Sequence, residues 1–470
     1  MQPSDFGLTE AQVKEMPDES VEPSSRREDV SNARRFADQH CERVRFWHGR
    51  NKWVLWRDYW KEDEVMEVSE LAKETARRIF AEASTLPSEE AIAMGKWAEK
   101  SMSRDKLHAM LDLAKSDPRI RAATEQFDAL PYLINFTSGT FDIETAQLRQ
   151  HSREDFITKM VHYPYAPSAI ADTWRQFIAQ TFGELSDWIQ TAVGYSLTGD
   201  VSEKVAFLLV GRTNTGKSTF LSTLRTIFAD YCSTLRVETL MWNRVQDNNA
   251  AADLADLRGA RFVTTSETEE GQRLREAQLK SITQGIGEIK TARKYENPIR
   301  FRETHKLWID ANHAPIIRGT DDAIWNRLLP IPCKHQVTEG QDLDRDLPKK
   351  LLAEAPGIIA WAVNGAVRWK AEGLPRPNII LDARNEWRER MDLIGQFLEE
   401  ECEPGEWGEV TEAYRVFVEY AKSHGEQHPI VSTAFGLRLA ERGMPSKLHH
   451  STRRRMYLGL KLRGPFARNG

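Results

Sequence analysis

The sequence lacks any long apolar run and any closely paired cysteines. No stretch approaches the roughly 18 consecutive apolar residues that a membrane-spanning helix needs, so we predict no membrane span and no membrane partner. The cysteines Cys41, Cys232, Cys333 and Cys402 are scattered without a Cys-x-x-Cys pair. This argues against a cysteine-based zinc site and favours a reducing compartment. The first residues also lack the basic and then apolar order of a secretory signal, so a cytoplasmic location is predicted.

The sequence also has little net excess of charge of either sign, with 65 lysines and arginines against 70 aspartates and glutamates. The 470 residues carry a formal net charge of -5, which excludes no partner, because a basic patch can lie on an acidic protein. The apolar share of 40% and the charged share of 29% are typical of a globular protein. A chain of 470 residues is too long for one hydrophobic core, and roughly two to four domains are predicted.

Composition and periodicity divide the chain into successive segments. Residues 1–30 are polar and acidic with proline and serine, which predicts a disordered tail. Residues 31–167 combine helical patterns with short alternating runs, which predicts an α+β domain. In residues 204–335 short apolar strands alternate with helices, which indicates an α/β core with a mainly parallel sheet. The other predicted segments are a helical collar at 168–203, a helical segment at 336–392 and a winged helix at 393–470.

The predicted α/β core contains a glycine-bounded loop. The stretch 211–218 reads GRTNTGKS and fits the pattern G-x-x-x-x-G-K-[ST], with an apolar strand before it and a helix after it. Backbone N–H groups and the helix N-terminus would face an anion, Lys217 would contact the β- and γ-phosphates, and the Ser218 hydroxyl would bind Mg²⁺. The alternative is an ordinary glycine loop with a surface lysine. The predicted nucleotide-binding residues are Gly211, Arg212, Thr213, Asn214, Thr215, Gly216, Lys217, Ser218 and Thr219.

Three downstream residues are candidates for catalysis beside that loop. Glu267 follows a short strand, where its carboxylate could polarise an attacking water and help to hold the metal through water, although a solvated acidic loop is the alternative. Asn312 follows the strand HKLWIDA and could orient a water, although it could also be only a turn former. Arg327 precedes the strand LLPIP and could reach the phosphate of a neighbouring subunit; alone it would more often be a surface or paired arginine.

Two basic segments are candidates for contacts with nucleic acid. Between Lys280 and Lys306 the sequence alternates enough for a hairpin. Its basic residues offer charge for phosphates and Tyr295 offers a ring for a base; they are Lys290, Arg293, Lys294, Arg300 and Arg302. Near the end of the chain, Arg453, Arg454 and Arg455 lie beside a predicted wing and could contact duplex phosphates. For both segments the alternative is an exposed basic loop with no ligand.

A cluster of tryptophans near the N-terminus is open to two interpretations. Trp53, Trp56 and Trp60 could form a stacking platform for single strands, but aromatic residues at such spacing more often belong to a core.

The order of these segments resembles the superfamily 3 helicase domain of the phage and plasmid primase-helicases, relatives of the poxvirus primase-helicase. The segments are the phosphate loop, LADLRGARFVTTSETEEG, IKTARKY, LWIDANHAP and RGTDDAIWNRLLPIP. The resemblance implies an AAA+ type ATPase that uses ATP and Mg²⁺, assembles as a hexamer and moves 3′ to 5′ on single-stranded DNA at forks. By the same resemblance Glu267 is the acidic strand end, Asn312 the sensor, Arg327 the arginine finger, and Lys294 and Tyr295 the hairpin tip.

The chain departs from the family in several places. Ser266 stands where many ATPases have aspartate, and QGIGE follows Thr283 where relatives often have Gly-Gly-Asp. The chain begins at the domain that normally follows a primase, so we expect a stand-alone helicase in a bacterial host's cytoplasm that could work with a separate primase or initiator. Two alternatives are a DNA-binding initiator that ATP assembles without unwinding, and a small-molecule phosphotransferase.

Overall fold

The structure is a computed structural model with a mixed α/β architecture. The residues that it describes are 27–242, 250–265, 271–285, 287–292, 299–319, 321–336, 344–405, 407–424, 426 and 429–463. Across those ranges, no helix combines the length and the apolar character that crossing a bilayer would require.

The N-terminal region has a small mixed sheet covered by helices. The sheet has the order β3-β2-β1-β4, and the helix α1 packs on α4 through a core that includes Phe36, Leu71 and Met110. The elements are α1 (Asp29–His40), β1 (Val44–Trp47), β2 (Lys52–Trp56), β3 (Trp60–Glu62), α2 (Glu67–Ala83), α3 (Ser88–Ser101), α4 (Arg104–Ala114) and β4 (Arg121–Ala122). The predicted tail is wrong in its last residues: Asp29 and Val30 form the first turn of α1, and the Asp29 carboxylate accepts a hydrogen bond from Lys106 Nζ at 2.8 Å.

The predicted hairpin strands that follow are observed as an antiparallel sheet. Its strands are β5 (Leu133–Phe136), β6 (Gly139–Asp142) and β7 (Gln147–Arg149). This sheet is tied to the centre of the protein, because the Tyr231 hydroxyl accepts a hydrogen bond from the backbone N–H of Asn135 at 3.0 Å.

The centre of the protein is a five-stranded sheet whose strands all run parallel. Its order is β14-β8-β13-β10-β9. The predicted apolar strands are confirmed, while β9 was missed, because its sequence CSTL carries no apolar run. The elements from here to the last strand of the sheet are β8 (Ala206–Val210), α7 (Lys217–Phe228), β9 (Cys232–Leu235), α8 (Val237–Leu240), α9 (Ala250–Ala255), β10 (Phe262–Thr265), α10 (Glu276–Ser281), β11 (Glu288–Thr291), β12 (Ile299–Arg302), β13 (Lys306–Ala311), α11 (Asp322–Trp325) and β14 (Leu328–Pro332).

Helices from both sides of this sequence segment cover one face of the sheet. They are α5 (Asp172–Phe182), α6 (Ser186–Leu197), α12 (Leu347–Ala353) and α13 (Ala355–Glu372). Trp174 of α5 stacks on Phe220 of α7 with ring centroids 5.8 Å apart, and both rings belong to the same apolar core as the sheet residues Phe207 and Trp308. The segment predicted as a collar therefore shares its core with the sheet.

The alternating basic segment forms an antiparallel hairpin of β11 and β12, as predicted. Ile289, Thr291 and Phe301 are buried, whereas Lys290, Arg300 and Arg302 are exposed. This alternation places the charged side chains on the face turned to solvent.

The C-terminal region contains helices and a small three-stranded antiparallel sheet, β16-β18-β17. The two predicted helices and the hairpin after them are observed, while the helix at Leu393 and the strand at Trp407 were not predicted. The elements are α14 (Asn378–Met391), α15 (Leu393–Glu401), β15 (Cys402–Glu403), β16 (Trp407–Glu409), α16 (Val410–Ser423), α17 (Ser432–Glu441), β17 (Ser446–Leu448), β18 (Arg455–Leu458) and β19 (Lys461–Leu462).

Candidate functional site

The glycine-bounded loop lies at the C-terminal edge of the parallel sheet. It connects the end of β8 at Val210 to the start of α7 at Lys217. Gly216 has a φ of 86°, a left-handed conformation that glycine adopts without steric cost. A Cβ added at Gly211 would lie 2.3 Å from the Cys333 carbonyl oxygen, so the first glycine is required by the close approach of the residue that follows β14. The loop therefore presents its backbone at the positive end of the α7 dipole, where anions bind in many proteins.

Lys217 points back over this loop. Its side chain is 5% exposed, and Nζ donates hydrogen bonds to the carbonyl oxygens of Gly211 at 2.6 Å and Arg212 at 3.0 Å. Nζ also donates to Asn312 Oδ1 at 3.1 Å. The structure thus brings the predicted sensor Asn312 to the predicted phosphate-contacting lysine, although 95 residues separate them.

Asp310 is part of the same cluster and was not predicted. Ser218 Oγ donates a hydrogen bond to Asp310 Oδ2 at 2.9 Å, and Asp310 Oδ1 lies 3.9 Å from Lys217 Nζ. The register of β13 against β8 pairs Asp310 with Leu209, close to the start of the loop. Asp310 is the last but one residue of β13, and Asn312 directly follows the strand. Because side chains alternate along an extended chain, residues two apart tend to lie on one side, so the sequence WIDAN contained a signal for both.

The hydroxyl of Ser218 and the carboxylate of Asp310 are hard oxygen donors, which suits Mg²⁺ chemistry. The nearby Cys333 thiol has a different character, because burial raises its pKa to about 12 and keeps it protonated at neutral pH.

Arg212, Thr213, Asn214 and Thr215 form the body of the loop. Thr215 Oγ1 donates to the Arg212 carbonyl oxygen at 2.9 Å, and Gln336 donates to the Thr213 carbonyl oxygen at 3.2 Å. Asn214 adopts a left-handed φ of 63°. Thr219 lies in the first turn of α7 and is half-buried. The predicted catalytic and metal-associated Glu267, together with Ser266, lies outside the described residues.

Arg327 lies at the N-terminal end of the parallel strands, whereas the loop of the same chain lies at their C-terminal end. It precedes Leu328, which pairs with Ala206 at the start of β8, whereas Pro332 pairs with Val210 at the end. At about 3.3 Å per residue, the length of β8 separates Arg327 from the loop by roughly 16 Å. Its Nη1 donates to the Ala323 carbonyl oxygen at 2.6 Å. The structure therefore does not bring Arg327 to the Lys217 cluster within one chain.

The basic hairpin presents part of its predicted surface. Lys290 pairs with Arg300 across the two strands, and Glu288 pairs with Arg302. These side chains are exposed on one face. The predicted Arg293, Lys294 and Tyr295 at the tip lie outside the described residues.

The arginines near the C-terminus lie on and beside the loop between β17 and β18. Arg453, Arg454 and Arg455 are all exposed. Arg454 forms an ion pair with Glu409 at 2.9 Å, so part of its charge is already compensated. Exposed pairs of this kind are weak and exchange readily with other anions.

The tryptophan cluster of the N-terminal region is largely a core. Trp60 is 1% exposed, and its ring contacts Trp56 at a centroid distance of 5.4 Å. Trp53 packs partly buried against Phe36 and Phe46. The interpretation as core is confirmed for Trp60.

Two known families match separate parts of this chain. The family described as "D5 N terminal like" matches residues 33–183, and a family of unknown function matches residues 209–327. The second match includes the loop, Asp310, Asn312 and Arg327.

Curated relatives include proteins of a mimivirus and of a virophage. The chain is 26% identical over 290 residues to "Putative helicase L207/L206" of Acanthamoeba polyphaga mimivirus, covering 57% of this chain and 30% of the relative. It is 22% identical over 363 residues to "Putative helicase V13" of Sputnik virophage, covering 72% of this chain and 45% of the relative. The chain thus spans less than half the length of either relative.

Among solved structures, the apo NrS-1 C-terminal region is similar at 11% identity, with a TM-score of 0.47. That match covers 91% of this chain and 99% of the other. A second form of the same region has a TM-score of 0.45 at 12% identity, covering 88% of this chain and 96% of the other.

The fold defines a mixed α/β protein with a central parallel sheet and a lysine, serine, aspartate and asparagine cluster at one sheet edge. Residues 33–183 match the family described as "D5 N terminal like", and the chain is similar to curated proteins named putative helicases. These similarities confirm the resemblance to phage and viral primase-helicases that the sequence implied.

Proposed function

We propose that this protein is an ATP-dependent DNA helicase of a virus, phage or related mobile element. The observation that carries the proposal is the cluster at the edge of the parallel sheet, where Lys217 Nζ contacts Asn312 and Ser218 Oγ contacts Asp310. The relatives named as helicases support strand separation over other uses of a nucleotide.

Each residue of the cluster has a role in this proposal. The loop N–H groups and Lys217 bind the phosphates of ATP, and Ser218 contributes an oxygen to the metal. Mg²⁺, when bound, neutralises charge on the phosphates. Asn312 holds a water near the γ-phosphate, and Glu267 accepts its proton. ATP binding requires only a local rearrangement. Lys217 gives up its hydrogen bonds to two backbone carbonyl oxygens and turns towards the phosphates.

The position of Arg327 supports a proposal that the active unit is a ring of several subunits. The family resemblance implies that the ring has six. Arg327 lies roughly 16 Å from its own loop along β8, so it would serve the site of a neighbouring subunit. The exposed face of the β11–β12 hairpin, with Lys290 and Arg300, would contact the DNA strand in the pore together with Arg293, Lys294 and Tyr295. The C-terminal arginines would hold duplex phosphates.

The test is strand separation of forked DNA coupled to ATP hydrolysis, measured with and without single-stranded DNA. Wild-type protein is expected to hydrolyse ATP faster with DNA and to separate a fork with a 3′ tail. K217A is expected to lose both activities by about 100-fold or more, because the phosphates lose their main cation. K96A, an exposed lysine on α3, is the control and should behave as wild type.

The outcomes separate this function from its rivals. ATP hydrolysis by a monomer that ignores DNA would support a phosphotransferase and contradict the proposal. E267Q that retains full DNA activity would indicate a nucleotide-assembled initiator, because a helicase needs hydrolysis for every step.

A further inference from the structure

We propose that Asp310 supplies the carboxylate for the nucleotide-bound Mg²⁺, from the strand next to the phosphate-loop strand. This inference rests on the proposed nucleotide site and assigns to it a metal-associated residue on β13. Asp310 Oδ2 lies 2.9 Å from Ser218 Oγ. The hydroxyl of Ser218 is the group that the sequence analysis predicts to bind Mg²⁺. Mg²⁺ in nucleotide sites is held by one or two carboxylates together with phosphate oxygens, waters and hydroxyl groups.

The C-terminal ends of the neighbouring strands can be compared for a carboxylate that could bind the metal. On the loop side of the sheet, β8 ends at Val210 and β14 ends at Pro332, followed by Cys333. The strand β10 ends at Thr265, and the next residue is Ser266 in place of a carboxylate. Among the described residues at these strand ends, Asp310 is the carboxylate in contact with Ser218.

Asp310 is a buried carboxyl group beside the ammonium group of Lys217. The residue is 6% exposed, and an ionised carboxylate in such a place is costly unless a cation or hydrogen-bond donors compensate it. Lys217 Nζ lies 3.9 Å away and provides part of that compensation. If Lys217 turns to the phosphates when nucleotide binds, Asp310 and Ser218 would together hold a divalent cation. That cation would supply the positive charge that the buried carboxylate then lacks.

The decisive variant is D310N, which keeps the size of the side chain and an oxygen that can accept from Ser218 but removes the charge. We would measure the affinity for a fluorescent, non-hydrolysable ATP analogue in EDTA and in Mg²⁺. We would also measure Mn²⁺ binding by electron paramagnetic resonance in the presence of that analogue. D112N, an exposed aspartate on α4, is the matched control.

We expect D310N to bind the analogue in EDTA at least as well as wild type, because a negative charge near the phosphates is gone. Its gain in affinity on adding Mg²⁺, and its affinity for Mn²⁺, should fall by about tenfold or more, as for other groups that hold or orient a metal. D112N should match wild type in each measurement. A D310N protein with an undiminished Mg²⁺-dependent gain would overturn the inference, and so would an equal loss of affinity with and without metal, which indicates a packing role.

A second measurement covers the case in which D310N does not fold. Wild-type protein labelled with ¹³C at aspartate carboxylates would be loaded with Mn²⁺ and the analogue, and electron–nuclear double resonance would detect carbons near the metal. A ¹³C coupling supports the inference and its absence overturns it. Failure of the wild type to bind any nucleotide would overturn the proposed function as well, whereas the results above concern Asp310 alone.

Discussion

Glu303 is a buried carboxyl group at the base of the β11–β12 hairpin. It is 3% exposed, and its Oε2 accepts hydrogen bonds from the backbone N–H groups of Gln284 at 3.1 Å and Gly285 at 3.2 Å. Burial raises the pKa of Glu303 to about 7, against the partial compensation of these bonds and of Lys306 and Arg327. The two ends of the hairpin are therefore joined through a group that titrates near neutral pH.

This pKa predicts a pH-dependent stability. The folded state keeps its proton up to about pH 7, while the unfolded chain loses it near pH 4.5. The contribution of Glu303 is thus fully present below pH 4.5 and is lost as the pH rises through about 7. The difference in unfolding free energy, wild type minus E303Q, is expected to fall by about 2 to 3 kcal/mol between pH 4.5 and pH 8.

The subtraction matters because the neighbouring His305 titrates with the opposite sign. Burial lowers the pKa of His305 to about 4, so its contribution is present above the ordinary histidine range and is lost as the pH falls. Both proteins share that term, and it cancels in the difference. Denaturant unfolding over this pH range provides the measurement, and a pH-independent difference would contradict the assignment.

Helices α6 and α13 cross in unusually close contact through two glycines. A Cβ added at Gly194 would lie 2.0 Å from the Ala366 backbone nitrogen, and one at Gly365 would lie 2.0 Å from the Gln190 carbonyl oxygen. These neighbours are backbone atoms and cannot rotate away. The contact fixes the position of both helices on the sheet that carries the nucleotide loop.

Alanine at either position is expected to destabilise the protein. G194A and G365A should each lower the free energy of unfolding by about 1 to 3 kcal/mol, because the helices must move apart. The control is G95A in α3, where an added Cβ meets nothing within 4 Å. There alanine should raise stability by about 0.5 to 1 kcal/mol through its helix propensity. Guanidinium unfolding of the three variants checks the prediction, which fails if G194A and G365A behave like G95A.

These elements show which parts of the fold can be predicted from the sequence alone. Strands β8, β10, β13 and β14 and the helix after the loop are predicted, because apolar runs and the glycine pattern are local signals. The crossing at Gly194 and Gly365 is not, since it joins helices that are far apart in the chain. Asp310 was missed for a related reason: its role depends on which strand lies next to β8, and the sequence contains no direct record of strand order.

At the scale of the whole molecule, the C-terminal region contacts the segment that leads from Asn312 to Arg327. Arg438 of α17 donates a hydrogen bond to the Arg318 carbonyl oxygen at 2.6 Å. From the other side, Glu276 of α10 accepts from the backbone N–H groups of Arg318 and Gly319 at 2.9 Å each. The segment between the proposed sensor and the proposed finger is thus held both by the C-terminal region and by the helix that precedes the hairpin.

The proposed ring predicts complementation between two inactive variants. K217A lacks the lysine of its own site, and R327A lacks the arginine given to a neighbouring site, so each alone should lose ATP hydrolysis. In an equal mixture, about a quarter of the subunit boundaries pair an intact Lys217 with an intact Arg327, if the subunits assemble at random. The mixture should therefore recover roughly a quarter of the wild-type rate per site.

R104A, an exposed arginine on α4, provides the control and should remain active in every mixture. An R327A protein with full activity alone would show that the arginine does not act in hydrolysis. If both variants fold and assemble but their mixture recovers no ATP hydrolysis, Lys217 and Arg327 act in the site of one chain. The separation of Arg327 from its own loop by the full length of β8 opposes that second outcome, because bringing them together would require the central sheet to break.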